Sequence, residues 1–313
     1  MLIVLGKIIG IFLTLLVGYF ACKRGWLPAA SAQSFSKLLI NVSQPCLIFY
    51  LLEHQPVNNT LLADGCLAML LAVLLTTACC ALGAAFNRVN RIKAKAGAGV
   101  YLAGFAFTNN GFLGMAVAMT VFSEQQLFIT MMINIPIVIM LFVFGPLLVN
   151  MNSASSFSWK AIVKSVFNPP TVATFLGIAF LTLHWRLPLP LDYAFEQLGA
   201  TVVPLSMIVV GIQLGNSKGK EMFSQKVYYV FSFLRLVGIP LAALGLLLLL
   251  GAPANIIAPI VLALAMPTAA LIAVFAEDGG GNTKLAAEIV FVTHLFSVLT
   301  LPALTLLLIY LAG

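Results

Sequence analysis

Long apolar runs alternate with short polar loops along the whole chain. A membrane-spanning helix needs about 20 mostly apolar residues, and ten segments approach or exceed this length. They run approximately from 2 to 22, 35 to 52, 61 to 86, 97 to 122, 127 to 149, 170 to 183, 198 to 214, 228 to 250, 255 to 276 and 285 to 311. The longest break between them, 150–167, is too short to form a soluble domain. The pattern predicts an all-α polytopic membrane protein with ten transmembrane helices.

Segments four and nine carry polar and helix-breaking residues in their middles. The first contains Thr108–Gly114 (TNNGFLG) and the second Ala265–Ala269 (AMPTA). On a continuous helix, adjacent Asn109 and Asn110 would point about 100° apart, whereas ending the helix there lets both amides line one cavity. Pro267 removes a backbone donor and stops its helix. In secondary transporters, broken helices of this kind form substrate sites near the membrane midplane.

The two breaks belong to a series of matches between the halves of the chain. The matched pairs have offsets of 159, 159, 157 and 156 residues: Gly18 with Gly177, Pro45 with Pro204, Asn110 with Pro267, and Pro146 with Pro302. A near-constant offset predicts a duplicated unit, with residues 1–150 and 151–313 each forming five helices. Five is an odd number, so the second unit enters the membrane from the opposite side and the repeat is inverted.

The distribution of basic residues predicts the orientation. Of the 16 Lys and Arg residues, 13 lie in loops that follow odd-numbered segments, and only Arg186 lies in an opposite loop. The positive-inside rule then places both termini outside the cell membrane. The net charge of +7 therefore reflects membrane orientation, and with only 8% charged residues the chain is not expected to bind nucleic acid.

The predicted substrate site comprises residues of the two breaks and of segment two. Gly111 permits close approach of another backbone, and Thr268 can accept hydrogen bonds from amides freed by Pro267, as a helix cap does. Half-helix N-termini that converge at the two breaks would attract an anion. Asn41 and Pro45 place an amide and a kink inside segment two. The alternatives are that the amides only join helices, a contact worth about 0.6–2 kcal/mol, and that the kink serves packing.

Four motifs make the chain resemble the auxin efflux carrier family. They are NVSQPCLIF (Asn41–Phe49), NNGFLG (Asn109–Gly114), AMPTA (Ala265–Ala269) and FSVLTLPAL (Phe296–Leu304). The resemblance implies two inverted five-helix repeats, in which helices four and nine cross at their breaks. It also implies a scaffold domain and a transport domain, each built from both repeats, and the carriage of organic anions. Without the long central loop of the plant carriers, the chain resembles the compact microbial type.

Other chemistry has little support. His54, His184 and His294 lie on three different segments without ligand-like spacing, so we expect no metal site and no cofactor. His294 is a candidate proton carrier, although a packing role is the alternative. The five cysteines are odd in number, which argues against a disulfide framework. No catalytic motif is present, and we expect no enzyme.

The sequence therefore predicts a secondary transporter that exports a small organic anion, such as a carboxylate, driven by membrane potential or protons. One alternative is an intramembrane sensor or structural subunit that does not transport. Another is a sodium-coupled symporter, but the predicted crossing lacks the carboxylate that sodium sites usually include. The sequence leaves open the substrate, the direction of transport, the coupling ion and whether the chain forms a homodimer.

Overall fold

The structure is a computed structural model that describes residues 2–28, 30–54, 59–92, 97–151, 167–216 and 225–312. This part of the chain is almost entirely helical. Its helices are α1 (Leu2–Lys23), α2 (Ser31–His54), α3 (Asn59–Val89), α4 (Ala98–Ala106), α5 (Asn110–Val121), α6 (Glu124–Val149), α7 (Pro169–Thr182), α8 (Leu189–Asn216), α9 (Lys226–Leu249), α10 (Ala254–Ala265), α11 (Leu271–Gly279) and α12 (Thr283–Ala312).

Six of the described helices are long and apolar enough to cross a membrane, namely α2, α3, α6, α8, α9 and α12. Further apolar helices are shorter, and they include the pieces α5, α7 and α10. Leu67, Leu70 and Leu74 project from one side of α3 and are 40–57% exposed, as expected for side chains that face lipid. The prediction of an all-helical polytopic membrane protein is confirmed at this level.

Prolines explain the wide π-helical turns inside α2 and α9. The turn Leu39–Ser43 precedes Pro45, and the turn Leu234–Gly238 precedes Pro240. Proline has no N–H to donate to the carbonyl four residues earlier, and its ring crowds that carbonyl. A π-helical turn absorbs the mismatch without ending the helix. The kink predicted at Pro45 is therefore present as a local widening of α2.

The helices pack in two groups. In the four-helix group, α1 lies along α8 and α2 packs on α7 and α8. The crossing group contains α3–α6 and α9–α12: α3 packs on α4 and α6, α9 on α10, and α11 on α12. The groups meet mainly where α5 and α12 lie against α1 and α8. Each group draws helices from both halves of the sequence.

Glycines bring the backbones of α1 and α8 into direct contact. A Cβ atom on Gly211 would lie 2.1 Å from the carbonyl oxygen of Leu15, and one on Gly18 would lie 2.3 Å from that of Ile208. Neither space can hold even a methyl group, because a backbone atom cannot move aside as a flexible side chain can. Small residues at such contacts are how membrane helices pack closely.

Replacing Gly211 by Ala is expected to force α1 and α8 apart. Overpacking typically costs about 1–3 kcal/mol, so the midpoint of thermal unfolding in detergent should fall. Gly245→Ala is the matched control, because Gly245 also lies within a helix but has no atom within 4 Å of its would-be Cβ. The control should keep or raise its midpoint, since Ala favours helix over Gly by about 0.5–1 kcal/mol. Equal midpoints for the two variants would contradict the close contact.

Candidate functional site

The breaks in the two interrupted segments lie against each other. Helix α4 ends at Ala106 and α10 ends at Ala265, and the extended residues that follow them pair as a short antiparallel bridge between Thr108 and Thr268. The backbone N–H of Asn109 donates to the Pro267 carbonyl at 2.7 Å, and the backbone N–H of Ala269 donates to the Phe107 carbonyl at 3.0 Å. We refer to residues 107–109 and 267–269 as the crossing. Backbone groups freed by each break are therefore satisfied by the other, as an apolar environment requires.

Thr268 stabilises the end of α4. Its side chain is fully buried, and its hydroxyl donates to the Gly104 carbonyl at 3.2 Å. Gly104 is among the last four residues of α4, whose carbonyls have no partner within the helix. The Thr268 amide in turn donates to the Thr293 hydroxyl oxygen of α12 at 3.3 Å. Thr268 thus caps a helix, but it donates to a C-terminal end, whereas the sequence predicted that it would accept at an N-terminal one.

The two asparagine amides contact different helices. The Asn109 Nδ2 atom lies 2.9 Å from Nε2 of His294, while Nδ1 of His294 lies 2.8 Å from the Val290 carbonyl oxygen. A histidine that donates from Nδ1 and accepts at Nε2 is neutral. The Asn110 Nδ2 atom donates to Oδ1 of Asn134 on α6 at 3.2 Å. All four side chains are buried, so the amides form a polar network inside an apolar core.

Segment two contacts the crossing group through Gln44, which lies beside the predicted residue Pro45 and three residues after the predicted residue Asn41. Asn41 is exposed, and its Nδ2 atom donates to the Lys37 carbonyl of its own helix at 2.7 Å. Gln44, one residue before Pro45, instead donates from Nε2 to the Gly111 carbonyl at 2.5 Å. This hydrogen bond joins the four-helix group to the crossing group. The structure therefore brings Asn109, Asn110, Gly111, Pro267 and Thr268 together, and in the described contacts Asn41 is not joined to them.

The sequence prediction missed several polar residues close to the crossing. Asn134 and Thr293 bond to residues of the crossing or its flanks, and Arg235 bonds to the end of α10 through the Leu264 carbonyl at 2.6 Å. Asn134 and Arg235 both stand inside predicted apolar segments. Such residues are by default candidates for function, and this signal could have found them.

Acidic groups are absent from the contacts of the crossing among the described residues. Of the buried acids, Glu53 accepts from the Leu187 amide, and Glu288 accepts from the Tyr228 hydroxyl at 2.5 Å and lies 3.9 Å from Nζ of Lys284. One set of described residues, Glu53, His54 and Asp192, has metal-ligand atoms within 4.8 Å of one another. It lies at the ends of α2 and α8 in the four-helix group, and the prediction of no metal site stays a prediction.

The chain belongs to the membrane transport protein family, whose model matches residues 3–305. It is 25% identical over 296 residues to an uncharacterized transporter of Methanothermobacter thermautotrophicus, covering 94% of this chain and 95% of that protein. It is 23% identical over 316 residues to a Rhizobium meliloti protein provisionally named a malonate transporter, covering 96% and 94%. The family is of the auxin efflux carrier type and its members are transporters. The predicted family resemblance and the absence of enzyme function are therefore confirmed.

Replacing Thr293 by Val is expected to weaken the crossing. The Thr268 amide would lose its acceptor in a buried position, which typically costs about 1–3 kcal/mol, so the midpoint of thermal unfolding should fall. Thr305→Val on the same helix is the matched control, because Thr305 is equally buried but its hydroxyl has no hydrogen-bond partner. The control should be neutral or stabilising. A Thr293→Val protein as stable as this control would contradict the assigned hydrogen bond.

Proposed function

We propose that this member of the membrane transport protein family is a secondary transporter that exports a small organic anion through the crossing. The observation that carries the proposal is the meeting of two interrupted membrane segments, with buried amides and hydroxyls around the point of contact. The relative that is provisionally named a malonate transporter supports a carboxylate as the substrate class. The proposal places the protein in the cell membrane as a multi-pass carrier with both termini outside.

Contacts between matched residues support ten helices in two inverted repeats, 1–150 and 151–313. Residues on a two-fold axis contact their own equivalents. Thr108 pairs with Thr268, an offset of 160 residues, and the Ser43 hydroxyl lies 2.8 Å from that of Thr201, an offset of 158. Both offsets fall close to the 156–159 found by matching the sequence halves. The two contacts are thus what an internal two-fold axis through the crossing and through α2 and α8 produces.

The two packing groups correspond to the scaffold and transport domains of this proposal. The four-helix group combines α1 and α2 of the first repeat with α7 and α8 of the second, and it is assigned as the scaffold. The crossing group carries the substrate residues and is assigned as the transport domain. Transport then requires the crossing group to change its position against the scaffold. The Gln44 contact to Gly111 lies at this boundary.

The chemistry of the crossing favours an anion over sodium. Helices α5 and α11 begin beside it, and the N-terminal end of a helix carries a partial positive charge. Asn109 and Asn110 add amide donors, whereas a sodium site needs several oxygen ligands and usually a carboxylate. The residues Ala269 to Ile272 are apolar on the side of the second repeat, which favours the alternative of a sensor without transport. Substrate binding without transport would distinguish the sensor from the carrier.

The double replacement Asn109→Leu, Asn110→Leu is expected to lower the affinity for malonate at least tenfold. Each lost hydrogen bond to a charged group costs about 1.5–3 kcal/mol. The affinity is measured from the rise in unfolding midpoint of the purified protein with increasing malonate. Asn41→Leu is the control, because among the described residues the Asn41 amide donates to the Lys37 carbonyl of its own helix, and it should bind malonate as the unchanged protein does. Unaltered binding and transport by a folded double variant would show that the substrate does not bind at the crossing.

Membrane potential is expected to drive the export. In liposomes loaded with malonate, an inside-negative potential should speed release, because each net charge gains about 2.3 kcal/mol per 100 mV. Exchanging sodium for potassium at fixed potential should change nothing. A strict sodium requirement would select the symporter instead, and release that follows a proton gradient but ignores voltage would select proton coupling through the substrate or His294. No release under any gradient would favour the sensor.

A further inference from the structure

Arg235 is a charged side chain enclosed in the middle of α9. It has no exposed surface and is the largest fully buried side chain among the described residues. Its Nη1 atom donates to the Leu264 carbonyl, while Nε and Nη2 have no hydrogen-bond partner. Burying a charge inside a membrane protein is costly, and unpaired buried donors add to that cost. Packing alone gives no reason to keep a guanidinium in this place.

Capping the end of α10 does not require a charge either. Leu264 matches Gly104 in the first repeat at an offset of 160, the same offset that relates Thr268 to Thr108. The Gly104 carbonyl is capped by the neutral hydroxyl of Thr268. The Leu264 carbonyl is capped by the guanidinium of Arg235. The molecule thus contains the same half-helix end twice, and only one of the two ends holds a cation.

The C-terminal end of a half-helix is where carriers with broken helices coordinate a coupling cation. The helix dipole places roughly half a negative charge there, and the terminal carbonyls supply oxygen ligands. Nη1 of Arg235 donates a hydrogen bond of 2.6 Å to one of these oxygens, the Leu264 carbonyl. In the described part of the chain no acid forms an ion pair with Arg235. The crossing group therefore carries a positive charge beside the site.

We propose that Arg235 is a built-in counter-ion, which stands at the end of α10 in the place of a coupling cation and offsets the charge of the anion in the crossing. The proposal rests on the proposed function as an anion carrier. It explains how the protein can hold an anion in a low-dielectric interior without sodium. In this role Arg235 acts on the substrate through its electric field and not through direct contact.

Cation dependence of stability tests this role without any substrate. Unfolding midpoints of the purified full chain are measured in choline, sodium and millimolar guanidinium chloride for the unchanged protein, R235A, R235M and R235K. R235A should have an unfolding midpoint about 5 °C lower or more, because the buried Leu264 carbonyl loses its donor, and guanidinium or sodium should restore several degrees. The unfolding midpoint of R235K should remain close to that of the unchanged protein. The midpoint of the unchanged protein should be the same in all three salts. K226A is the control, because Lys226 is an exposed cation at the start of the same helix, and it should show neither loss nor rescue.

Two outcomes would overturn the proposal. R235M keeps an unbranched side chain like that of Arg but removes the charge. One contradicting outcome is an R235M protein whose unfolding midpoint equals that of the unchanged protein and does not change with the cation. The other is a rise with guanidinium or sodium that is equal in R235A and K226A. If R235A does not fold, R235K and R235M decide, since only the charged variant should be stable in choline.

A transport measurement separates this proposal from the proposed function. Liposomes that hold malonate and R235M should release malonate at least tenfold more slowly in choline than in sodium, while the unchanged protein releases it equally in both. Sodium-independent release by R235M would contradict the counter-ion role of Arg235 but would not contradict the proposed function as an anion carrier. Absence of release by the unchanged protein would count against the carrier, and the cation dependence of the unfolding midpoint would still decide on Arg235.

Discussion

The backbone pairing between Thr108 and Thr268 is the interaction on which the rest of the structure depends. A helix that stops inside a bilayer leaves amides and carbonyls that lipid cannot satisfy. Here each break supplies partners for the other, through two backbone hydrogen bonds of 2.7 and 3.0 Å. Neither interruption would be stable alone, so the two breaks require each other, and the helices before and after them are fixed in position by the same contact.

The positions of the breaks could be read from the sequence because they depend on local chemistry. Pro267 interrupts a helix because it lacks a backbone N–H and its ring clashes with the preceding turn. The adjacent amides Asn109 and Asn110 are costly inside an apolar segment, which marks them as candidates for function. The partners of these residues could not be read in the same way. Asn134 and His294 lie on other helices, and in a membrane most helix faces are apolar, so periodicity does not indicate which face meets which neighbour. For the same reason the sequence grouped Asn41 with the breaks, whereas in the structure Asn41 bonds within its own helix and Gln44, three residues later, donates to the Gly111 carbonyl.

The polar network around the crossing is mostly neutral, and this limits the chemistry that it supports. Amides, hydroxyls and a histidine with one proton provide donors and acceptors without fixed charge. Under the proposed function, recognition of the substrate by such a site depends on shape, on hydrogen bonds and on the field of nearby helix ends. Among the described residues, the cation bonded beside the crossing is Arg235 on α9, where it can set the potential of the site without forming part of its surface.

The pairing at the crossing also has a mechanical consequence. It connects α4, α5, α10 and α11 across the two halves of the chain through buried residues, and a buried backbone group that loses its hydrogen bond is costly. Opening the crossing like a hinge would expose these groups to apolar surroundings. Any displacement of the proposed substrate residues relative to the four-helix group is therefore expected to move the crossing as one rigid body, with the sliding surface at α5 and α12 against α1 and α8.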